Sequence, residues 1–254
     1  MATAIAGGMI KKDFEASQVR AFDISPESAK NFTAVTGIKV ETENLKKVLE
    51  DTDAVFLAVK PQYLESALSG LSSLLESKLV ISIAAGIKIA KLQELSSSKR
   101  TIRVMPNTPA LVGEGASAWC ASSGLNEDDV KLINKILGSI GTVCNVEEKL
   151  MDAVTGVSGS GPAYVLDFIQ GLADGGVNAG LARDKAIELA AQTVLGTAKL
   201  LIESGNHPAV LRDQVTSPGG TTAKALAVLE KNSFKGIIIE AVMAAVKRSS
   251  ELGK

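Results

Sequence analysis

Ser217-Pro218-Gly219-Gly220-Thr221-Thr222 offers the clearest chemistry in the sequence. A hydroxyl residue ahead of an apolar periodic run caps a helix, and paired glycines let another group approach bare backbone. The N–H groups of such a turn, aided by the helix dipole, form a site for a carboxylate, although a plain helix cap uses the same residues. A second cluster, Gly156-Val157-Ser158-Gly159-Ser160-Gly161, lies in a stretch that otherwise reads as helical. Each glycine there costs roughly 1 kcal/mol relative to Ala, and Pro162 leaves the carbonyl of Ser158 without its helical donor. Bare backbone at this point lets a flat ring come close, or lets two helices pack tightly.

Acid–base and metal chemistry have little to work with. The single histidine, His207, precedes Pro208 in a turn and has no partner for general-base work. Cys120 and Cys144 lack CxxC spacing and a nearby histidine, so they read as small buried hydrophobes in a reducing compartment. No metal site is expected. A net charge of −1 gives no electrostatic case for nucleic acid or an anionic membrane surface. The longest apolar stretches, Ile237 to Ile239 and Ala241 to Val246, fall far short of a membrane span. With no signal-peptide pattern at the start, a cytoplasmic protein is the expectation.

The elements that must position these residues fall into two halves. Val19 to Phe22, Ala54 to Val59, Leu79 to Ile83 and Ile102 to Met105 read as strands, apolar on both faces, with helical patterns at Pro26 to Val35, Gln62 to Leu75 and Ile89 to Leu95. That alternation predicts a Rossmann-like, doubly wound parallel sheet in an α/β domain over residues 1–147. Two more strands are expected at Ala116 to Cys120 and Thr142 to Val146, around a helix from Glu127 to Leu137. From 148 to 254 strand signals stop, and Leu150 to Val177, Arg183 to Ser204, Thr221 to Lys231 and Phe234 to Leu252 read as helices rich in Ala and Gly. An all-helical half with small residues on its faces predicts a dimerisation domain.

A doubly wound sheet opens with a strand and a Gly-rich turn before the helix that holds a pyrophosphate. Here the helical pattern begins at once, Met1 to Ile10, so the strand and the G-x-G-x part are expected ahead of Met1, with Ala2 in the last small position of that fingerprint. Asp23 ends the next strand at the usual offset for a contact to a ribose hydroxyl.

Ala58-Val59-Lys60-Pro61, Arg103 to Pro109, Gly156 to Tyr164 and Asp213 to Ala225, in this order and spacing, resemble pyrroline-5-carboxylate reductase along essentially the whole chain. The resemblance implies a nucleotide-binding domain and a helical domain that interlocks two subunits, often with dimers built into larger rings such as a decamer. It implies hydride transfer from NADPH or NADH to 1-pyrroline-5-carboxylate, giving L-proline. The substrate carboxylate would lie on the backbone of Gly219, Gly220, Thr221 and Thr222, with Ser217 nearby and the Thr222 hydroxyl near the imine nitrogen. Glu148 matches a residue near substrate, while on its own it reads as a solvated carboxylate at a helix start. Met1, Ala2, Ala58, Val59, Lys60, Pro61, Ala84, Ala85, Asn107 and Thr108 match the cofactor-lining segments. At the adenosine end Asp23, with no arginine directly after it, leans toward NADH, and Ser25 could contact either cofactor.

Two rivals remain open on sequence. A β-hydroxyacid dehydrogenase shares the two-domain plan and a Gly-rich helix start, but needs a lysine where this chain has Val165. A non-catalytic remnant that has lost its nucleotide turn is the other, and the intact glycine clusters argue against it.

Overall fold

In the computed structural model, residues 1–12 and 14–253 are described. The chain runs α1 (Ala2–Lys12), β1 (Ala21–Phe22), α2 (Pro26–Thr36), β2 (Val40–Glu41), α3 (Leu45–Glu50), β3 (Ala54–Leu57), α4 (Leu64–Leu68), α5 (Ser72–Leu75), β4 (Leu79–Ser82) and α6 (Ile89–Ser96). It continues through β5 (Thr101–Met105), β6 (Gly115–Ala121), α7 (Glu127–Gly138), β7 (Gly141–Asn145) and α8 (Met151–Val154). The helices α9 (Gly161–Asn178), α10 (Arg183–Ser204), α11 (Pro208–Gln214), α12 (Thr221–Lys231) and α13 (Phe234–Leu252) complete it.

Two compact units result: Met1–Ser160 with Ala244–Lys254 forms unit one, and Gly161–Met243 forms unit two. The sequence-based boundary at 147/148 lies earlier than this division, which also returns the last turns of α13 to unit one. The end of α13 is tied to α8 by the Ser249 hydroxyl, which donates to Asp152 Oδ1 at 2.7 Å.

In unit one, β1 and β2 pair in parallel, and β3-β4-β5-β6-β7 form a five-stranded sheet. The expectation of a parallel sheet holds for β3, β4 and β5 and for β6 with β7, but β5 and β6 are antiparallel. A parallel return needs a crossover of about a dozen residues or more, and the link 106–114 provides only a 3-10 turn, Thr108–Val112. Leu79, Val80 and Ile81 on β4 have no exposed surface. On one face of the sheet Leu79, Ile81, Ile102 and Val104 pack against Ala4 and Ile5 of α1 and Ile133 and Leu137 of α7. The other face holds Val80 against Leu57, Leu75 and Leu92. Two long helices expected from the pattern are broken. Gly70, at φ +72°, separates α4 from α5, and a π-helical turn at Thr155–Gly159 interrupts the run into α9. The short elements β2, α3 and α11 carry too little periodic pattern to be read in advance.

Cys120 is buried as expected, but Cys144 is exposed. It lies on the edge strand β7, where its Sγ donates to the Ser117 carbonyl at 3.8 Å. Burial pushes the Cys120 thiol up to about 11. Unit two is held by α9 against α10 through Ala173, Ala186 and Ala190, with Ile169 and Val177 beside them.

Candidate active site

The parallel strands of unit one deliver their C-terminal ends to the edge where open α/β sheets bind ligands. β3 ends in exposed Ala58, Val59 and Lys60, and Pro61 opens a 3-10 turn closed by Tyr63 N–H donating to the Lys60 carbonyl at 2.9 Å. After β4, Ala84 is buried, its N–H donating to Ser82 Oγ at 3.2 Å, and Ala85 is exposed. After β5, Asn107 is buried and its Oδ1 accepts from the Ala116 N–H at 2.9 Å, fixing the strand end to β6, while Thr108 stays exposed. These three segments therefore meet at one edge of the five-stranded sheet.

At the end of β1, Asp23 is half-buried and doubly fixed: its N–H donates to the Glu41 carbonyl at 3.1 Å, and its Oδ1 accepts from the Ser25 N–H at 2.8 Å. Ser25 Oγ in turn accepts from the Ser28 N–H at 3.3 Å and caps α2, so that hydroxyl is committed to the helix. Backbone hydrogen bonds from Glu43 and Thr42 hold the neighbouring Glu41 carboxyl below its usual range, with burial acting against them. A fixed acceptor at a strand end suits a ribose hydroxyl. Met1 and Ala2 are exposed at the positive end of α1, where N–H groups face outward. Asp23 lies at the end of β1, in the β1–β2 part of unit one, apart from the five-stranded sheet.

The turn Ser217–Thr222 belongs to unit two. Gly219 is left-handed at φ +69°, and Gly220 N–H donates to the Ser217 carbonyl at 3.0 Å. The left-handed conformation of Gly219 favours glycine, and a Cβ on Gly220 would displace Ser217 Oγ from its present position. The N-cap of α12 is Gly220 rather than a hydroxyl residue, and no side chain caps the helix. Its first N–H groups are thus open to an anion, with Ser217 and Thr221 exposed and Thr222 half-buried beside them.

The glycine cluster at 156–161 is the π turn, in which Ser160 N–H donates to the Thr155 carbonyl at 2.8 Å. Gly159 leaves room for the Met105 methyl, which a Cβ would strike. π-turns recur at functional sites. Glu148 precedes this turn, and its Oε1 accepts from the Ile89 N–H at 2.7 Å. Arg103, 6% exposed on β5, lies 3.7 Å from Glu148 Oε1 and 3.9 Å from Asp152 Oδ1. The sequence did not mark the contacts that Arg103, Asp152 and Ser249 make here. A charge inside an otherwise apolar strand was the available signal for Arg103. His207 Nδ1 accepts from the Ala209 N–H at 3.2 Å at the start of α11.

Residues 148–252 match the family model described as pyrroline-5-carboxylate reductase dimerisation, and residues 1–86 match that of NADP oxidoreductase coenzyme F420-dependent. A pyrroline-5-carboxylate reductase of Glycine max is 45% identical over 99% of this chain and 92% of its own length. The chain belongs to the pyrroline-5-carboxylate reductase family. One of the Arabidopsis thaliana relatives with that name is 50% identical over 82% of this chain and 76% of its own length. Among solved structures, the pyrroline-5-carboxylate reductase of Coxiella burnetii superposes with a TM-score of 0.93 at 32% identity, covering 100% of this chain and 95% of its own. The Plasmodium falciparum enzyme, solved with NADP bound, gives 0.88 at 36% identity, covering 99% of this chain and 94% of its own. The Rossmann-like domain followed by a helical dimerisation domain is thus the architecture of a reductase family that uses nicotinamide cofactors. Among the described residues no helix is long and apolar enough to cross a membrane.

Proposed function

We propose that this chain reduces 1-pyrroline-5-carboxylate to L-proline with NADPH or NADH, the last step of proline synthesis. The Ser217–Thr222 turn carries this reading, because it joins a left-handed bend at Gly219 to a helix start that no side chain caps. The substrate carboxylate sits on the Gly219–Thr222 backbone, Ser217 stands beside it, and the Thr222 hydroxyl holds the imine nitrogen. Protonation of that nitrogen makes C5 electrophilic, so the chain's work is to orient two flat rings and fix a carboxylate. A bound reduced nicotinamide supplies the hydride that C5 accepts. Asp23, Ser25, residues 58–61, Ala84, Ala85, Asn107 and Thr108 line the cofactor, with Met1 and Ala2 at its phosphates. The lean of Asp23 is toward NADH.

The protein works in the cytoplasm as a homodimer, with a decamer as the larger assembly. Support for a dimer comes from exposed apolar side chains on the helices of unit two, among them Leu166, Leu195, Ile202 and Ile239. The test is oxidation of NADH and NADPH on addition of pyrroline-5-carboxylate, with proline measured as product. Proline formed in step with cofactor oxidation is expected; a folded protein that binds cofactor yet makes no proline would overturn the reading.

A further inference from the structure

Glu148 lies near the junction of α8 with the sheet, yet its side chain is directed at a helix start elsewhere in unit one. Ile89 opens α6, and the preceding Lys88 offers no side-chain cap. Glu148 Oε1, from 59 positions along the chain, accepts the Ile89 N–H at 2.7 Å instead. A carboxylate there does what a local cap residue does, and its charge suits the positive end of the helix. The buried Arg103 guanidinium stands between this carboxylate and Asp152, so its charge is paired on both sides.

The segment so anchored is the loop between β4 and α6, which holds Ala84 and Ala85. Its other side is also fixed. Gly86, at φ +79°, is buried with its Cβ position 3.2 Å from the backbone of Leu252 and 3.3 Å from Gly253 N, at the end of α13. That end of α13 is in turn tied to Asp152 by buried Ser249 at 2.7 Å. The loop is gripped by Glu148 at its exit and by the α13 terminus at its middle, and Arg103 lies beside both Glu148 and Asp152.

We infer that Glu148 is a positioning residue that holds the Ala84–Lys88 loop in place for the cofactor and does not touch the substrate. The inference rests on the reading of that loop as cofactor-lining. Two variants separate the contributions. Glu148→Ala removes the acceptor for Ile89, whereas Glu148→Gln keeps an acceptor oxygen and loses the charge facing Arg103.

The experiment measures cofactor dissociation constants by calorimetry, steady-state kinetics, and hydrogen exchange over residues 84–90. Glu148→Ala is expected to weaken cofactor binding about tenfold and lower kcat about tenfold, as a misplaced loop does. The KM for pyrroline-5-carboxylate should stay within about twofold, and exchange over residues 84–90 should quicken. Glu148→Gln should restore cofactor binding most of the way. A KM for pyrroline-5-carboxylate raised about tenfold or more with cofactor binding unchanged would make Glu148 a substrate contact and overturn the inference. Faster exchange with binding and kcat unchanged would leave it a merely structural cap, which also overturns it. A wild-type protein that binds cofactor but makes no proline would defeat the reductase reading alone, because the binding and exchange results still decide the role of Glu148. If the wild type binds neither cofactor, the inference falls too.

Discussion

Leu75, Leu79, Val80, Ile81 and Ile102 of unit one have no exposed surface, whereas in unit two Ile202 is 80% exposed and Ile239 63%. Unit one closes its own core on both faces of a five-stranded sheet. Unit two buries a thin seam of alanines between α9 and α10 and leaves large side chains outside. The contrast extends to the two candidate sites. The proposed cofactor edge is built from strand ends fixed by hydrogen bonds, while the proposed substrate turn is defined by a left-handed glycine and by N–H groups left open. Stability in unit one is therefore internal, and in unit two it depends on what covers the apolar helices.

The largest stability effect should come from the closed core. Ile81→Ala removes a fully buried side chain between α1 and the sheet and is expected to cost roughly 2–5 kcal/mol in denaturant unfolding. A cost near zero would mean that unit one does not carry its own stability. Next comes the half-buried pair that joins the start of β5 to α7. Arg100 Nε donates to Asp129 Oδ2 at 2.9 Å, and Asp129 also accepts from the Asn126 N–H at 3.1 Å. The Arg100 guanidinium holds the Asp129 carboxyl below its ordinary value of 3.8. Because the folded value is the lower one, this stabilisation is complete above the ordinary value and is lost as pH falls through the folded one. Asp129→Asn is expected to cost roughly 1.5–3 kcal/mol at neutral pH. Thermal melts of the variant and wild type should converge in strong acid, and a gap that persists there would remove the ion pair as its cause. The smallest effect on the isolated fold should come from unit two. Ile202→Lys should change unimolecular unfolding by no more than about 0.5 kcal/mol, while shifting sedimentation toward smaller species at low protein concentration. Unchanged assembly would place the covering surface elsewhere.

The difference between the units also governs what sequence could reveal. β4 was legible because its run Leu79 to Ser82 is buried on both faces, so the chain itself spells a central strand. The reversal at β6 was not, since strand direction depends on the length of the link after Met105 and leaves no mark on periodicity. The helix broken at Gly70 shows the reverse case, a glycine visible in the sequence whose left-handed conformation outweighed the surrounding helical pattern. Ser217 to Thr222 could be singled out because its glycines and hydroxyls are adjacent in the chain. The Glu148–Ile89 contact could not, because its partners are 59 positions apart and the acceptor's target is a backbone N–H with no side-chain signature. Ser249 lies among ordinary helical residues of α13, and nothing in its neighbourhood marks it as the tie to Asp152.

The most direct test is kinetic analysis of Gly219→Val, since a β-branched residue cannot hold the left-handed φ of +69° and must open the turn, which lies wholly in unit two. The kcat/KM for pyrroline-5-carboxylate is expected to fall roughly 100-fold, with cofactor affinity measured by calorimetry unchanged. An undiminished kcat/KM would contradict the placement of the substrate carboxylate on this turn.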